Sequence, residues 1–136
     1  MEILLLEDNP GDARLFHEVL RELDYLAPRV AHARRLSEAV ELARRRAFDI
    51  IFLDLSLPDG YGLEVVRQVR AVNSAPIVVL TGSVDETLAA RALTEGAQSY
   101  LPKGFIEPAE LLAAMETAGA ALAPRLSVGA NPGVPE

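Results

Sequence analysis

Cysteine and tryptophan are absent from this sequence of 136 residues, and lysine occurs only once, against twelve arginines. Without cysteine the chain has no disulfide, no catalytic thiol and no thiolate ligand for a metal. A chain without disulfides suits a reducing compartment, so we expect a cytoplasmic protein. The single lysine, Lys103 in the stretch LPKG, needs an explanation.

Long apolar runs and an excess of positive charge are also missing. Apolar runs such as ILLL, IIFL and IVVL are far shorter than the ~20 residues of a membrane-spanning helix. The sequence shows no signal-peptide pattern. A net charge of -7 would repel a phosphate backbone. We therefore expect no membrane association and no direct binding of nucleic acid.

Short apolar runs alternate along the chain with longer segments of helical periodicity, which is typical of parallel strands joined by crossover helices. The runs that begin at Ile3, Ile50 and Ile77 lack polar alternation, which predicts central strands covered on both faces. The pattern predicts an α/β fold, a doubly wound (βα)5 three-layer sandwich with a five-stranded parallel sheet. Predicted strands span 2–6, 29–33, 49–54, 76–81 and 98–102, and predicted helices span 10–25, 37–47, 61–72, 84–96 and 107–121.

The alternating pattern ends near residue 121. A chain of 136 residues has the size of one compact domain. From about Ala123 the sequence loses periodicity and gains proline and glycine, which indicates a tail or a linker. We predict one domain over residues 1–121, followed by a flexible C-terminal tail or linker stub over 122–136.

Polar side chains stand at the carboxyl ends of four predicted strands. The first strand is followed by Glu7 and Asp8, the third ends in Asp54, the fourth in Thr81, and the fifth leads into Lys103. In a doubly wound sheet these strand ends meet at one edge, where ligands bind. This convergence explains the position of the single lysine.

Three carboxylates that lie close together repel one another, so one of them holds a proton or a cation neutralises them. Mg²⁺ suits the set, because it accepts one or two carboxylates and keeps waters for an incoming phosphate. The hydroxyl of Thr81 and the ammonium of Lys103 could then hold a phosphoryl group placed on a carboxylate. Each residue alone could be an ordinary cap or surface group, but their joint arrival at one edge favours a site.

With these residues in place, the sequence resembles the receiver domain of two-component response regulators. The matching stretches are LLLEDNPGDA, DIIFLDLSLPDGYGLEV, PIVVLTG and GAQSYLPKG, which occur in order between residues 2 and 121. The resemblance implies the flavodoxin-like strand order 2-1-3-4-5, for which a member of this family is a standard example.

The resemblance implies a phosphorylation switch rather than an enzyme. Asp54 would accept a phosphoryl group from a phosphohistidine. The cofactor would be Mg²⁺, held by Asp8 and Asp54, by Glu7 through water, and by the backbone carbonyl of Ser56. The protein would contribute mainly positioning and neutralisation of charge.

The same resemblance assigns the remaining site residues. Lys103 would bridge to the phosphoryl oxygens, and Thr81 would move in to donate a hydrogen bond. Tyr100 would follow Thr81 inward and remodel the face made by the fourth helix, the fifth strand and the fifth helix. Slow self-dephosphorylation would be tuned by Ser56 and Ser83.

The implied partners are a sensor histidine kinase or a histidine phosphotransfer protein of a phosphorelay. The kinase would dock on the first helix near Asp12 and Leu15. Output would pass to a downstream protein or to a further domain, and a homodimer through the fourth helix, fifth strand and fifth helix is a third candidate.

One position departs from the family pattern. A proline usually follows the family's lysine in a cis peptide, whereas Gly104 follows Lys103 here. A cis bond before a residue other than proline costs ~2.5–4 kcal/mol, which favours a trans bond and a different aim of Lys103. Gly104 can adopt backbone angles that restore the reach of the ammonium.

Three alternatives compete with this interpretation. GYGLEV resembles a dinucleotide fingerprint, but it lacks the third glycine, and Gly82 stands where a ribose-binding acid is expected. A phosphatase with an aspartyl intermediate would need a second acid at the position of Ser56. The serious alternative is a receiver-like interaction module that binds partners without phosphorylation.

Overall fold

A computed structural model describes residues 1–82, 86–104 and 106–120. Ser83 and the predicted tail over 122–136 lie outside the described residues.

The described residues form a central parallel sheet with a small antiparallel hairpin beside it. The sheet order is β2-β1-β3-β6-β7, which confirms the strand order inferred for the five predicted strands. The strands are β1 (Glu2–Leu6), β2 (Arg29–Ala33), β3 (Ile50–Asp54), β4 (Ser56–Leu57), β5 (Gly60–Tyr61), β6 (Ile77–Thr81) and β7 (Ser99–Pro102).

Helices cover both faces of the sheet, as the alternating pattern predicts. The α-helices are α1 (Pro10–Arg21), α2 (Leu36–Arg45), α3 (Leu63–Val72), α4 (Glu86–Thr94) and α5 (Pro108–Thr117). Each crossover helix lets two parallel strands lie side by side, so that all five strand ends point to the same edge. None of the helices in the described part of the chain has the length and apolar character of a membrane span.

The core lies on both faces of the sheet. The strands β1, β3 and β6 occupy its centre, and every residue of β3 is buried. One apolar cluster contains Leu53 and Val66 and packs against α2 and α3, and the other contains Phe16 and Phe52 and packs against α1 and α5. The absence of polar alternation in the central strands follows from this double cover.

Several helix boundaries differ from the predictions; the fifth helix, for example, ends at Thr117 rather than at 121. The first helix ends at Arg21 rather than near residue 25, and a short 3-10 helix, Asp24–Leu26, follows it. The third helix begins at Leu63 rather than at 61, because residues 56–61 form the β4–β5 hairpin. Such short non-helical segments carry no periodicity that a sequence pattern could reveal.

Candidate functional site

The carboxyl ends of four sheet strands surround one cleft. Asp54 ends β3 and Glu7 directly follows the neighbouring strand β1. The backbone N–H of Lys103 donates to the carbonyl of Thr81 at 2.7 Å, which ties the end of β7 to the end of β6. The cleft has a volume of about 550 Å³ and is lined by Glu7, Asp8, Asn9, Pro10, Asp12, Asp54, Leu55, Ser56, Tyr61, Leu80, Thr81, Gly82, Leu88 and Lys103.

Three carboxylates meet in this cleft. One oxygen from each of Glu7, Asp8 and Asp54 lies within 4.8 Å of the other two. Glu7 and Asp54 are only 1% and 5% exposed, whereas Asp8 is exposed. Two oxygen ligands on opposite sides of one Mg²⁺ ion are about 4.2 Å apart, given metal distances of ~2.1 Å. The cluster therefore has the donor type and nearly the spacing for one hard divalent ion.

Lys103 supplies the positive charge of the cleft. Its Nζ lies 2.9 Å from Glu7 Oε1, 3.1 Å from Asp12 Oδ2 and 3.3 Å from Asp54 Oδ2. The described residues contain no cis peptide bond, so the bond before Gly104 is trans. Gly104 adopts φ of 101°, a conformation that favours glycine, and the ammonium reaches the acidic cluster on this path.

Burial and charge shift the pKa values of this cluster. The pKa of Glu7 is raised to about 7, mainly by burial. The hydrogen bond from Lys103 lowers this pKa, whereas the charge of Asp54 contributes to the increase. Burial disfavours the ammonium of Lys103, but its hydrogen bond to Glu7 and the charge of Asp54 outweigh burial and raise its pKa. Lys103 therefore stays charged at neutral pH, while Glu7 exchanges protons near neutrality.

The loop after Asp54 is fastened to the start of α2. The carboxylate of Asp59 accepts hydrogen bonds from the N–H groups of Leu36 and Ser37 at 2.7 and 3.0 Å. The α2 N-cap residue makes no side-chain cap of its own, so Asp59 caps the helix from a distant loop. A Cβ on Gly60 would approach Leu36 Cδ2 to 2.5 Å, so the hairpin lies directly against α2.

We expect Asp59→Ala to unfold at a lower urea concentration than the wild type at neutral pH. The hydrogen bonds from Ser37 and Leu36 lower the pKa of Asp59. Their stabilising effect is present above the ordinary carboxyl pKa and is lost as pH falls through the lowered value. The difference between variant and wild type should therefore shrink in acid. Asp59→Asn keeps one acceptor oxygen, so its urea unfolding midpoint should lie between those of Asp59→Ala and the wild type. Equal midpoints for all three proteins would contradict the capping role of Asp59.

The structure places the predicted site residues as follows. Ser56 is exposed and Thr81 half-buried, and both line the cleft with the acidic cluster. The N–H of Ser56 donates to Asp54 Oδ1 at 3.2 Å. Tyr100 lies on β7 and is 41% exposed.

Sequence reasoning missed two contacts of the cleft. The sequence predicts Asp12 only near the kinase-docking surface, but its carboxylate contacts Lys103, while its N–H donates to the Asn9 side chain. His32 Nε2 donates to the carbonyl of Glu7 at 2.8 Å. For Asp12 the only available signal was its position in the first turn of the helix that follows the acidic pair.

Comparison with known proteins agrees with this geometry. Residues 3–116 match the response regulator receiver domain family. The chain is a member of that family. It is thus a phosphoacceptor switch domain of two-component signal transduction, and its curated relatives are regulatory proteins.

This receiver domain is similar to longer regulators and to solved receiver structures. It is 37% identical over 103 residues to the KDP operon transcriptional regulatory protein KdpE of Escherichia coli K12, covering 76% of this chain and 44% of that protein. It is 32% identical to the receiver domain of the sensor histidine kinase PA1611 from Pseudomonas aeruginosa, with a TM-score of 0.73 and coverage of 88% and 98%. That structure holds a magnesium ion in its active site cleft.

A third similar protein was solved in a phosphorylated state. A response regulator from Burkholderia pseudomallei, with a phosphorylated aspartic acid and a calcium ion, is 30% identical to this receiver domain. The TM-score is 0.71, and the match covers 84% of this chain and 65% of that one. This chain spans about half the length of the curated relatives that it matches, 44% and 46% for the first two.

Proposed function

We propose that this receiver domain accepts a phosphoryl group on Asp54 from the phosphohistidine of a sensor kinase or a histidine phosphotransfer protein. The observation that carries the proposal is the cleft in which Asp54 lies within 4.8 Å of two further carboxylates and 3.3 Å from the single lysine. A carboxylate oxygen of Asp54 attacks phosphorus, the bond to the histidine nitrogen breaks, and the imidazole leaves. The absence of cysteine suits a reducing compartment, so we also propose a cytoplasmic location.

Mg²⁺ is the proposed cofactor. Asp8 and Asp54 would hold it directly, with Glu7 through water and with the backbone carbonyl of Ser56 as a further ligand. The oxygen donors and the excess of negative charge in the cleft fit a hard divalent cation. When bound, it neutralises the charge that gathers on the transferring phosphoryl group.

The residues of the chain would then hold the product. Lys103 donates to the phosphoryl oxygens, and the Thr81 hydroxyl donates a second hydrogen bond. Tyr100, which is 41% exposed, turns inward after Thr81 and changes the face formed by α4, β7 and α5. This change shifts the population between two packings of that face. We propose the same face for a downstream protein or a homodimer.

The proposed unit of function is the domain over residues 1–121, with 122–136 as a tail or linker. The family match over residues 3–116 and the regular elements up to Thr117 support this boundary. The relatives extend well beyond a receiver domain, so the output of the whole protein is a partner or a further domain.

Acetyl phosphate provides the test, because it donates a phosphoryl group without a docking partner. The intact protein should gain the mass of one phosphate in the presence of Mg²⁺, and a chelator should prevent the gain. A protein that stays unmodified with acetyl phosphate and with purified histidine kinases alike would overturn the proposal and favour a phosphorylation-independent interaction module.

The kinase should dock in a groove between α1 and the segment after β7. This docking groove is lined by Leu15, Glu18, Val19, Glu22, Gly104, Ile106 and Pro108 and has a volume of about 250 Å³. Gly104, which lines this groove, directly follows Lys103 of the cleft in the chain. Leu15 is the most exposed large apolar side chain of α1, at 38%.

We expect Leu15→Asp to slow phosphotransfer from a kinase by about tenfold or more, as loss of a central apolar contact does in protein interfaces. Phosphorylation by acetyl phosphate should be unchanged, because it does not use the groove. Tyr25→Ala removes another exposed apolar side chain, outside this groove, and serves as the control. Equal slowing with both donors would show damage to the cleft instead.

A further inference from the structure

We propose that Asp12 competes with the phosphoryl group for Lys103, and so acts as a positioning residue that restrains the switch before phosphorylation. This inference rests on the proposed role of Asp54. Asp12 Oδ2 lies 3.1 Å from Lys103 Nζ. The contact joins α1 to the segment after β7, two parts of the chain that are 91 residues apart.

The ammonium of Lys103 already has three acidic neighbours, and it donates hydrogen bonds to two of them, Glu7 and Asp12. Lysine has three N–H donors and no acceptor. Lys103 Nζ faces Glu7 at 2.9 Å, Asp12 at 3.1 Å and Asp54 at 3.3 Å. A phosphoryl group on Asp54 adds strong acceptor oxygens and nearly two negative charges. Because two of its three N–H donors already serve Glu7 and Asp12, Lys103 can donate more than one hydrogen bond to those oxygens only if it leaves one of these two partners.

The exposure of the partners decides which one is released. The side chain of Glu7 is only 1% exposed, so losing Lys103 would leave a buried carboxylate without its ammonium partner, which is costly. The side chain of Asp12 is 33% exposed and can be hydrated. It also lies in the first turn of α1, where the helix dipole stabilises a negative charge without a partner. Asp12 is therefore the partner that is released at the lowest cost.

Asp12→Asn is expected to increase the affinity for an analogue of the phosphoryl group. Removing the competing charge should make the protein bind beryllofluoride, an analogue of the phosphoryl group, about twofold to fivefold more tightly, the range of a partly exposed ion pair. Asp24→Asn makes the same chemical change at another exposed position and should leave the affinity at the wild-type value.

The single lysine allows a direct test by NMR. The full 136-residue chain with isotope-labelled lysine gives signals from Lys103 alone. With Mg²⁺ and no analogue, Asp12→Asn should shift the side-chain signal of Lys103, and Asp24→Asn should not. With saturating beryllofluoride, the wild type and Asp12→Asn should give the same signal, because the contact with Asp12 has been broken.

The outcomes separate this inference from the proposed function. An unchanged Lys103 signal in Asp12→Asn, or weaker beryllofluoride binding, would overturn the competition while leaving phosphorylation of Asp54 intact. If beryllofluoride moved the Lys103 signal in neither protein, the phosphoacceptor role itself would fail, and the competition would fall with it.

Discussion

Asp54→Asn is expected to abolish phosphorylation by acetyl phosphate and by kinases, so that the variant gains no phosphate mass under conditions that modify the wild type fully. An amide is not a nucleophile at phosphorus under these conditions, whereas the Asp54 carboxylate ends β3 inside the cleft and faces Lys103 at 3.3 Å. Mass spectrometry of the intact protein measures the result. Asp24→Asn is the matched control and should be modified like the wild type.

The fold should survive this substitution. Asparagine has the shape of aspartate, and its carbonyl oxygen can accept the hydrogen bond that Ser56 donates to Asp54 at 3.2 Å. Asp54 also raises the pKa of Glu7 through its charge, so its neutralisation relieves repulsion. Circular dichroism and urea unfolding should therefore match the wild type or exceed it in stability. Full phosphorylation of Asp54→Asn would identify another acceptor and refute the assignment.

The largest effect on stability is expected from Glu7, through pH. Its pKa rises from 4.5 to about 7 on folding, mainly because of burial. A raised pKa means that the folded state binds the proton more tightly, so this contribution is complete below the ordinary pKa and is lost as pH rises through about 7. The shift corresponds to roughly 3 kcal/mol of unfolding free energy between acid and alkaline conditions.

Urea unfolding without metal, at about pH 5.5 and about pH 8.5, measures this contribution. The side chain of Glu7→Gln cannot titrate, so the unfolding free energy of this variant should depend less on pH. The variant should exceed the wild type in stability most clearly at the higher pH. His17 changes stability with pH in the opposite direction, because burial and then the charge of His32 lower its pKa. This contribution is present in both proteins and cancels when they are compared. Parallel profiles for the two proteins would contradict the raised pKa of Glu7.

Much of this fold could be predicted from the sequence, because its strongest signals are local. The uninterrupted apolar runs at Ile3, Ile50 and Ile77 became the three central strands, since only strands covered on both faces dispense with polar alternation. Once the strands were located, the rule for ligand sites at strand ends brought Glu7 and Asp54 to one edge. The structure places them there, within 4.8 Å.

Contacts between distant segments could not be predicted in this way. The hydrogen bonds from Leu36 and Ser37 to Asp59 depend on a hairpin two residues per strand long, too short for any periodic signal. The contact between Asp12 and Lys103 depends on the path that Gly104 gives the chain, and a glycine in a sequence allows several paths. In both cases the sequence shows a carboxylate that can accept hydrogen bonds, but it does not show which distant residue donates them.

Because the β4–β5 hairpin is attached to α2, two backbone amides of α2 can be used to follow the opening of the loop after Asp54. The backbone N–H groups of Leu36 and Ser37, at the start of α2, donate hydrogen bonds to the carboxylate of Asp59. Asp59 lies in another segment of the chain, five residues after Asp54. Hydrogen exchange at these two amides follows the opening of the acceptor loop rather than fraying of α2 alone. Loosening of that loop during the signalling cycle would thus become visible at the start of α2.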